Sequence, residues 1–270
     1  MRPSSRRPAR ALPIASRLST RARPETRRAF TLIELLTVIA IIGILAAIII
    51  PTVGTVRAKA QRAVDGNNLR EILKAAQIYA QDNNDRLPDP QALATTFQGS
   101  TAVYRWPGIL AKNGILLDPS FYFAKNDPLA PATAPTVILR AGVTAKNQLD
   151  PTFTASTMSW EFVGGLKMSD PATTPVAFTR GLTTGGTWNV SGGTQGVYSD
   201  TGGYIAFLGG NVVFYPNTTT IFTSNGNGNS KPTNILQSLP MGSSTANRAR
   251  VYATNATIGT AAGTLATQGP

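Results

Sequence analysis

From Phe30 to Val56 the chain runs for 27 residues with a single charged side chain, Glu34, and no other feature restricts the fold as much. At about 1.5 Å per helical residue, Phe30 to Ile50 is long enough to cross the hydrocarbon of a bilayer. Nine Arg lie on the N-terminal side of this run, whereas Arg57, Lys59, Arg62 and Arg70 are the only basic residues in the first twenty beyond it. That bias predicts a cytoplasmic N-terminus, with everything after Pro51 on the far side of the membrane.

Net charge has to be read against the same division. The whole chain carries a formal +12, but residues 1–29 hold nine Arg and one Glu, a net +8, which leaves 16 basic and 12 acidic residues, only +4, for the remainder. The basic excess therefore belongs mostly to a leader beside a membrane segment, which tells against nucleic acid as a partner. With no Cys and no His among 270 residues, disulfides, thiol nucleophiles, imidazole bases and His/Cys metal sites are all excluded. An apolar content of 42% is enough for a real core.

Three readings of the apolar run compete. A cleaved secretory signal finds a small-x-small match at Ala58-Lys59-Ala60, but the run is too long and Lys59 is a poor neighbour for that cut. A twin-arginine signal fits Thr26-Arg27-Arg28-Ala29-Phe30, although the following segment is more apolar than such signals usually are. In the third, Ala29-Phe30-Thr31-Leu32-Ile33-Glu34-Leu35-Leu36 resembles the prepilin-type cleavage and methylation segment of type IV pilins and type II secretion pseudopilins.

That resemblance implies a basic cytoplasmic leader, cut by a membrane-embedded prepilin peptidase between Ala29 and Phe30, with Phe30 then N-methylated. It also implies that Glu34 is the acidic residue used in subunit assembly, and that Gly43 and Pro51 fall where many family members have a Gly and a Pro within this helix. The family usually has Gly before the cut, and here Ala29 stands there.

Position alone makes sense of Glu34. It lies about 6 Å inside the segment, near the cytoplasmic interface, where a carboxylate avoids the full cost of the bilayer centre. Cutting at Phe30 would create an ammonium one helical turn away. Glu34 could hold its own Phe30 amine, or the amine of a neighbouring subunit and so set the axial step of a fibre; the resemblance implies the second. Pro51 lacks an N–H and crowds the carbonyl of Ala47, and Gly43 weakens the same stretch, so a kink is expected around them.

Beyond Pro51 the apolar residues Leu69, Ile72, Leu73, Ala76, Tyr79 and Ala80 recur at helical spacing, and "QDNNDRLPDP" reads as a stop. The chain thus divides into a leader, 1–29; a transmembrane part of a stem helix, 30–51; an extracytoplasmic part, 52–84; an α+β head, 85–216; and a Thr/Asn/Gly-rich extension, 217–270. The extension reads as an appendage with about its last fifteen residues disordered. The expected fold is α+β: a long stem helix packed by its C-terminal half on a small antiparallel sheet, as in the ladle shape of pilins. "GGYIAFLGGNVVFYP" reads as a hairpin with Gly209-Gly210 as a two-residue turn, pairing Phe207 with Val212 and Ile205 with Phe214 on a face that covers the stem.

Little else suggests chemistry, and no enzyme is expected. Asp118, Asp127, Asp150, Glu161, Asp170 and Asp200 are the carboxylates weighed as a glycosidase pair. Asp200, in "YSDTGGY", is a candidate oxygen ligand because some pseudopilins bind calcium near the end of the head; the bland alternative is a turn residue.

The resemblance implies a single-pass inner-membrane subunit with its head in the periplasm, later built into a fibre in the periplasm or at the cell surface. Its partners would be membrane lipid, copies of itself or other pilin-like subunits, prepilin peptidase, and an inner-membrane assembly platform with its ATPase. The absence of Cys favours the secretion branch, since many pilins close a C-terminal loop with a disulfide. The competing class is a membrane-anchored surface protein whose β-rich head binds carbohydrate or another ligand without polymerising.

Overall fold

The structure is a computed structural model that describes residues 30–91, 94–97, 100–222, 232–242, 248–253, 258 and 263–265. The leader, including Ala29, and residues 266–270 lie outside the described residues. Two compact units divide the chain, Met1–Val53 and Gly54–Pro270. Helix α1, Leu32–Asp82, belongs to both.

In the first unit α1 is apolar all round and its large side chains are exposed from Leu32 to Ile50. It is the one helix among the described residues that is long and apolar enough to cross a membrane, with a mean hydropathy of 2.9 over its most apolar window. The helix continues through Pro51, which leaves the Ala47 carbonyl without its usual amide. One residue on, the Thr52 hydroxyl donates to the Ile49 carbonyl at 2.8 Å.

In the second unit α1 buries one stripe, Asp65, Leu69, Ile72, Leu73, Ala76, Tyr79 and Ala80, the spacing of a single helix face. Gly66 lies beside this stripe, and a β-carbon there would meet the Tyr204 ring at 3.1 Å, so glycine lets the head approach the helix. The stop is made by Asn84 and Asp85, both at positive φ (56° and 58°), with the Asp85 amide reaching back to the Ala80 carbonyl at 3.0 Å in a Schellman-type closure.

The rest of this unit comprises α2 (Ala102–Lys112), α3 (Pro151–Thr154) and strands β1 (Trp160–Gly164), β2 (Pro175–Thr179), β3 (Gly203–Phe207), β4 (Val212–Tyr215), β5 (Arg250–Tyr252) and β6 (Thr264–Leu265). They form one antiparallel sheet in the order β4-β3-β2-β1-β5-β6. With the long apolar helix ahead of it, this is an α+β, pilin-like architecture. On β1, Phe162 stacks on Trp106 of α2 with centroids 4.4 Å apart, and the Trp160 indole donates to the Phe121 carbonyl at 2.8 Å.

Two details differ from the sequence reading. The β3–β4 hairpin turns through three residues, Leu208 to Gly210. The Gly210 amide donates to the Phe207 carbonyl at 2.9 Å and the Phe207 amide to the Asn211 carbonyl at 2.8 Å, with Gly210 at φ 96°. This is a type I turn closed by a glycine bulge, and it moves the register by one residue. Ala206 therefore faces Val212 and Tyr204 faces Phe214 on one side, while Ile205 and Val213 face each other on the opposite side. Gly209 is glycine for another reason: a β-carbon there would lie 2.9 Å from that of Ala172.

The second difference concerns residues 217–270. Far from hanging off the head, this segment supplies β5, which pairs with the central strand β1, and the β6 edge; Ile235, Leu239, Val251 and Tyr252 are fully buried. Short runs such as "RVY" carry too little periodicity to reveal that β1 needs them as a neighbour.

Candidate processing and assembly site

The N-terminal turn of α1 is built as a capping box. Thr31 precedes the first helical residue, and its hydroxyl accepts from the Glu34 amide at 3.2 Å. In return Glu34 Oε2 accepts from the Thr31 amide at 2.9 Å and from the Thr31 hydroxyl at 2.8 Å. Two of the orphan donors at the helix start are thus satisfied reciprocally, and the negative carboxylate lies at the positive end of the helix dipole. The pattern Thr31-x-x-Glu34 is legible in the sequence, yet reasoning about membrane cost and amine pairing passes over it.

This arrangement leaves Glu34 exposed, with Oε1 open toward solvent-side partners and Oε2 already holding Thr31. Phe30 is 73% exposed and directly precedes the box, so the carboxylate and any new amine at Phe30 would share the same helix end. A bare apolar cylinder follows: Leu32, Ile33, Leu35, Leu36, Ile39, Ile42 and on to Ile50 have no protein cover. No β-carbon at Gly43 would meet an atom within 4 Å, so its glycine leaves the helix surface locally smooth without easing any contact in the described residues.

A second constellation lies where α1 meets the head inside the second unit. Arg62 donates to the Thr201 hydroxyl at 3.1 Å, and its guanidinium lies 5.3 Å from the centroids of both Tyr198 and Phe214. The Tyr204 hydroxyl donates to the Arg62 carbonyl at 2.9 Å. Asp65, 1% exposed, accepts from the Tyr198 hydroxyl at 2.9 Å and from Gln61 at 3.3 Å. Burial pushes the Asp65 carboxyl above its usual range, the Tyr198 and Gln61 hydrogen bonds offset part of this, and nearby Asp127 adds to the rise. None of these residues stands out in the sequence, because what joins them is tertiary.

The carboxylates weighed as a catalytic pair have structural positions instead. Asp118 and Asp150 cap helical turns, accepting from the Ser120 and Thr152 amides at 2.8 and 2.9 Å, and Asp170 accepts from the Lys167 amide at 2.7 Å. Asp127 is locked to Arg180 in a buried two-point pair, 2.5 and 2.8 Å, while Ser159 donates to it at 2.6 Å. Glu161 is fully buried on β1 and neither of its oxygens has a hydrogen-bond partner among the described residues. Burial raises its carboxyl to about 8, and the nearby Gly181 amide, which does not reach hydrogen-bond geometry, and the charge of Arg180 offset only part of that rise. Asp200 is exposed in the helical turn Ser199–Thr201, and the described residues contain no group of three or more acidic side chains that could hold a metal ion.

Comparison with known proteins bears on this N-terminal segment. Residues 26–50 match the family model described as the prokaryotic N-terminal methylation motif. The chain is also similar to the type IV wide pilus major component of Thermus thermophilus, with 42% identity over 74 residues, which is 27% of this chain and 56% of that protein. It thus spans about half the length of that curated relative. No solved structure matches the chain.

Proposed function

We propose that this chain, whose N-terminal segment is that of the type IV pilin-like family, is a structural subunit of a pilus-like fibre, matured by a prepilin peptidase between Ala29 and Phe30. The observation that carries the reading is the pairing of a capped, singly acidic helix start with an uncovered apolar cylinder. In the membrane pool, lipid covers that cylinder. In a fibre, the same surface of other copies takes the place of lipid, and an assembly platform with its ATPase drives the exchange.

In this mechanism the polymer is the product, and no residue acts as a catalyst. Glu34 holds the helix start through Thr31 and keeps an oxygen available for the amine released at Phe30 of a neighbouring subunit, and Gly43 and Pro51 provide the weak points where the stem bends on leaving lipid. The head projects into the periplasm, and later along the fibre. Similarity to a named pilus component favours the pilus branch. The second reading, a type II secretion pseudopilus, is favoured by the absence of Cys.

Mass spectrometry of the mature N-terminus tests the proposal. A methylated Phe30 is expected, whereas an intact Met1 end or a cut near Ala60 would overturn it. Glu34→Gln is expected to leave the membrane pool intact and abolish fibres; fibres at the normal level would remove Glu34 from assembly.

A further inference from the structure

Arg62 and Asp65 of α1, together with Asn126, Gln195, Tyr198 and Ser199 of the head, line an open cleft of about 270 Å³ within the second unit. Its two charged walls differ. Arg62 is already engaged by Thr201 and by two aromatic faces. Asp65 is 1% exposed, accepts from Tyr198 at 2.9 Å and from Gln61 at 3.3 Å, and forms no ion pair with any described residue.

The neighbouring buried carboxylate shows what is missing. Asp127 has Arg180, two guanidinium hydrogen bonds and a serine hydroxyl. A buried carboxylate is normally compensated in this way, because removing its charge from water is otherwise costly. Asp65 lines a cleft that also offers the polar side chains of Asn126, Gln195 and Ser199, and the cation in that lining, Arg62, forms no ion pair with it.

We propose that this cleft receives a basic side chain of stem α1, Lys59 or Arg57, from a second copy of the chain. The inference rests on the fibre reading above and adds a contact to it. Arg57 and Lys59 are exposed on α1 and make no ion pair among the described residues. A copy displaced along its stem by six to eight residues, about 9–12 Å, brings them level with Asp65. The displacement has the same direction as the four-residue offset, about 6 Å, that brings a neighbour's Phe30 amine to Glu34. Long basic side chains bridge the few ångströms by which the two offsets differ.

The absence of Cys permits a clean test in the full-length chain. A lysine-length reach holds the two backbones farther apart than a disulfide spans, so a short bismaleimide is used in place of oxidation. With Lys59→Cys and Asp65→Cys together, treated fibres are expected to give a ladder of covalent multimers, which only bonds between copies can make and which neither single variant nor dispersed subunits give. Because Asp65→Cys alters a buried site, the exposed pair Arg57→Glu/Lys59→Glu provides a second arm. It is expected to lower fibre yield at least tenfold with the head's melting temperature unchanged, and adding Asp65→Lys is expected to restore part of that yield. Fibres without a ladder, together with normal yield from Arg57→Glu/Lys59→Glu, would overturn the contact and leave the fibre reading standing. A wild-type chain that forms no fibre would overturn the reading beneath it.

Discussion

Two stretches of one helix use the same kinds of residue to opposite ends. From Leu32 to Ile50 the isoleucines and leucines are exposed, Ile33 at 72% and Ile44 at 65%, whereas Leu69, Ile72 and Ala76 are fully buried. The difference is angular. The first stretch is apolar on every side and needs an apolar environment all round, which lipid or a bundle of copies can provide. The second alternates an apolar stripe with Arg70, Glu71 and Lys74 and needs only one partner surface, the sheet of its own head.

The contrast can be broken most forcefully from the head. Arg180→Met leaves Asp127 buried and unpaired and is expected to cost about 3–5 kcal/mol of head stability. Thermal melts of the full chain in detergent should show the head unfolding early while the helical signal of the lipid-soluble stretch persists. Loss of both together would mean that the two stretches are not independent.

Next in size, Ile72→Ala removes a fully buried side chain and is expected to cost about 2–5 kcal/mol by denaturant titration. Ile48→Ala, on the exposed stretch, is expected to change head stability by less than about 0.5 kcal/mol. Equal effects would erase the comparison.

A third test depends on pH. The folded state holds the Glu161 proton up to about 8, whereas an unperturbed Glu loses it near 4.5. Between those values the folded state binds a proton that the unfolded state has lost, so head stability falls as pH rises from about 4.5 to about 8 and levels off above. Glu161→Gln is expected to flatten that slope when denaturation midpoints at pH 5 and pH 8 are compared. An unchanged slope would assign the pH dependence to other groups. The smallest effect is expected from Thr31→Ala, which opens the capping box: amide exchange at Glu34, whose N–H donates to the Thr31 hydroxyl, should quicken while the head's exchange stays as it was.

How far the sequence could be read followed from how local the cause was. Helix α1 and its stop were legible because an unbroken apolar run, a striped continuation and an Asn/Asp/Pro cluster act within a few residues of themselves. The hairpin was legible as a hairpin, but its register was not. A two-residue and a three-residue turn around Gly209-Gly210 differ by a single hydrogen bond, and the close approach of Ala172 that demands glycine at 209 comes from elsewhere in the chain. Residues 217–270 were misread because β5 is three residues long and acquires its meaning only beside β1.

The candidate site divides along the same line. Glu34 and the apolar run can be located from sequence, since charge and hydropathy define them, whereas Phe30 is picked out only by resemblance to the prepilin-type segment. That Thr31 and Glu34 close on each other also follows from spacing, as a capping box depends on residues three apart. Asp65 could not be singled out: an Asp on a helix face is ordinarily solvated, and only the packing of Tyr198 and the loops at 126–128 and 195–199 makes it buried without an ion pair among the described residues.

The sequence by itself determined the existence and extent of an apolar helix long enough to cross a membrane, and the Thr31–Glu34 cap at its start, because hydrophobic run length and capping-box spacing act without reference to distant residues. The tertiary structure decided which side of the hairpin faces the stem, that the C-terminal segment completes the sheet, and which carboxylates are compensated. Those outcomes depend on desolvation and pairing between groups more than a hundred residues apart, such as Asp65 and Tyr198.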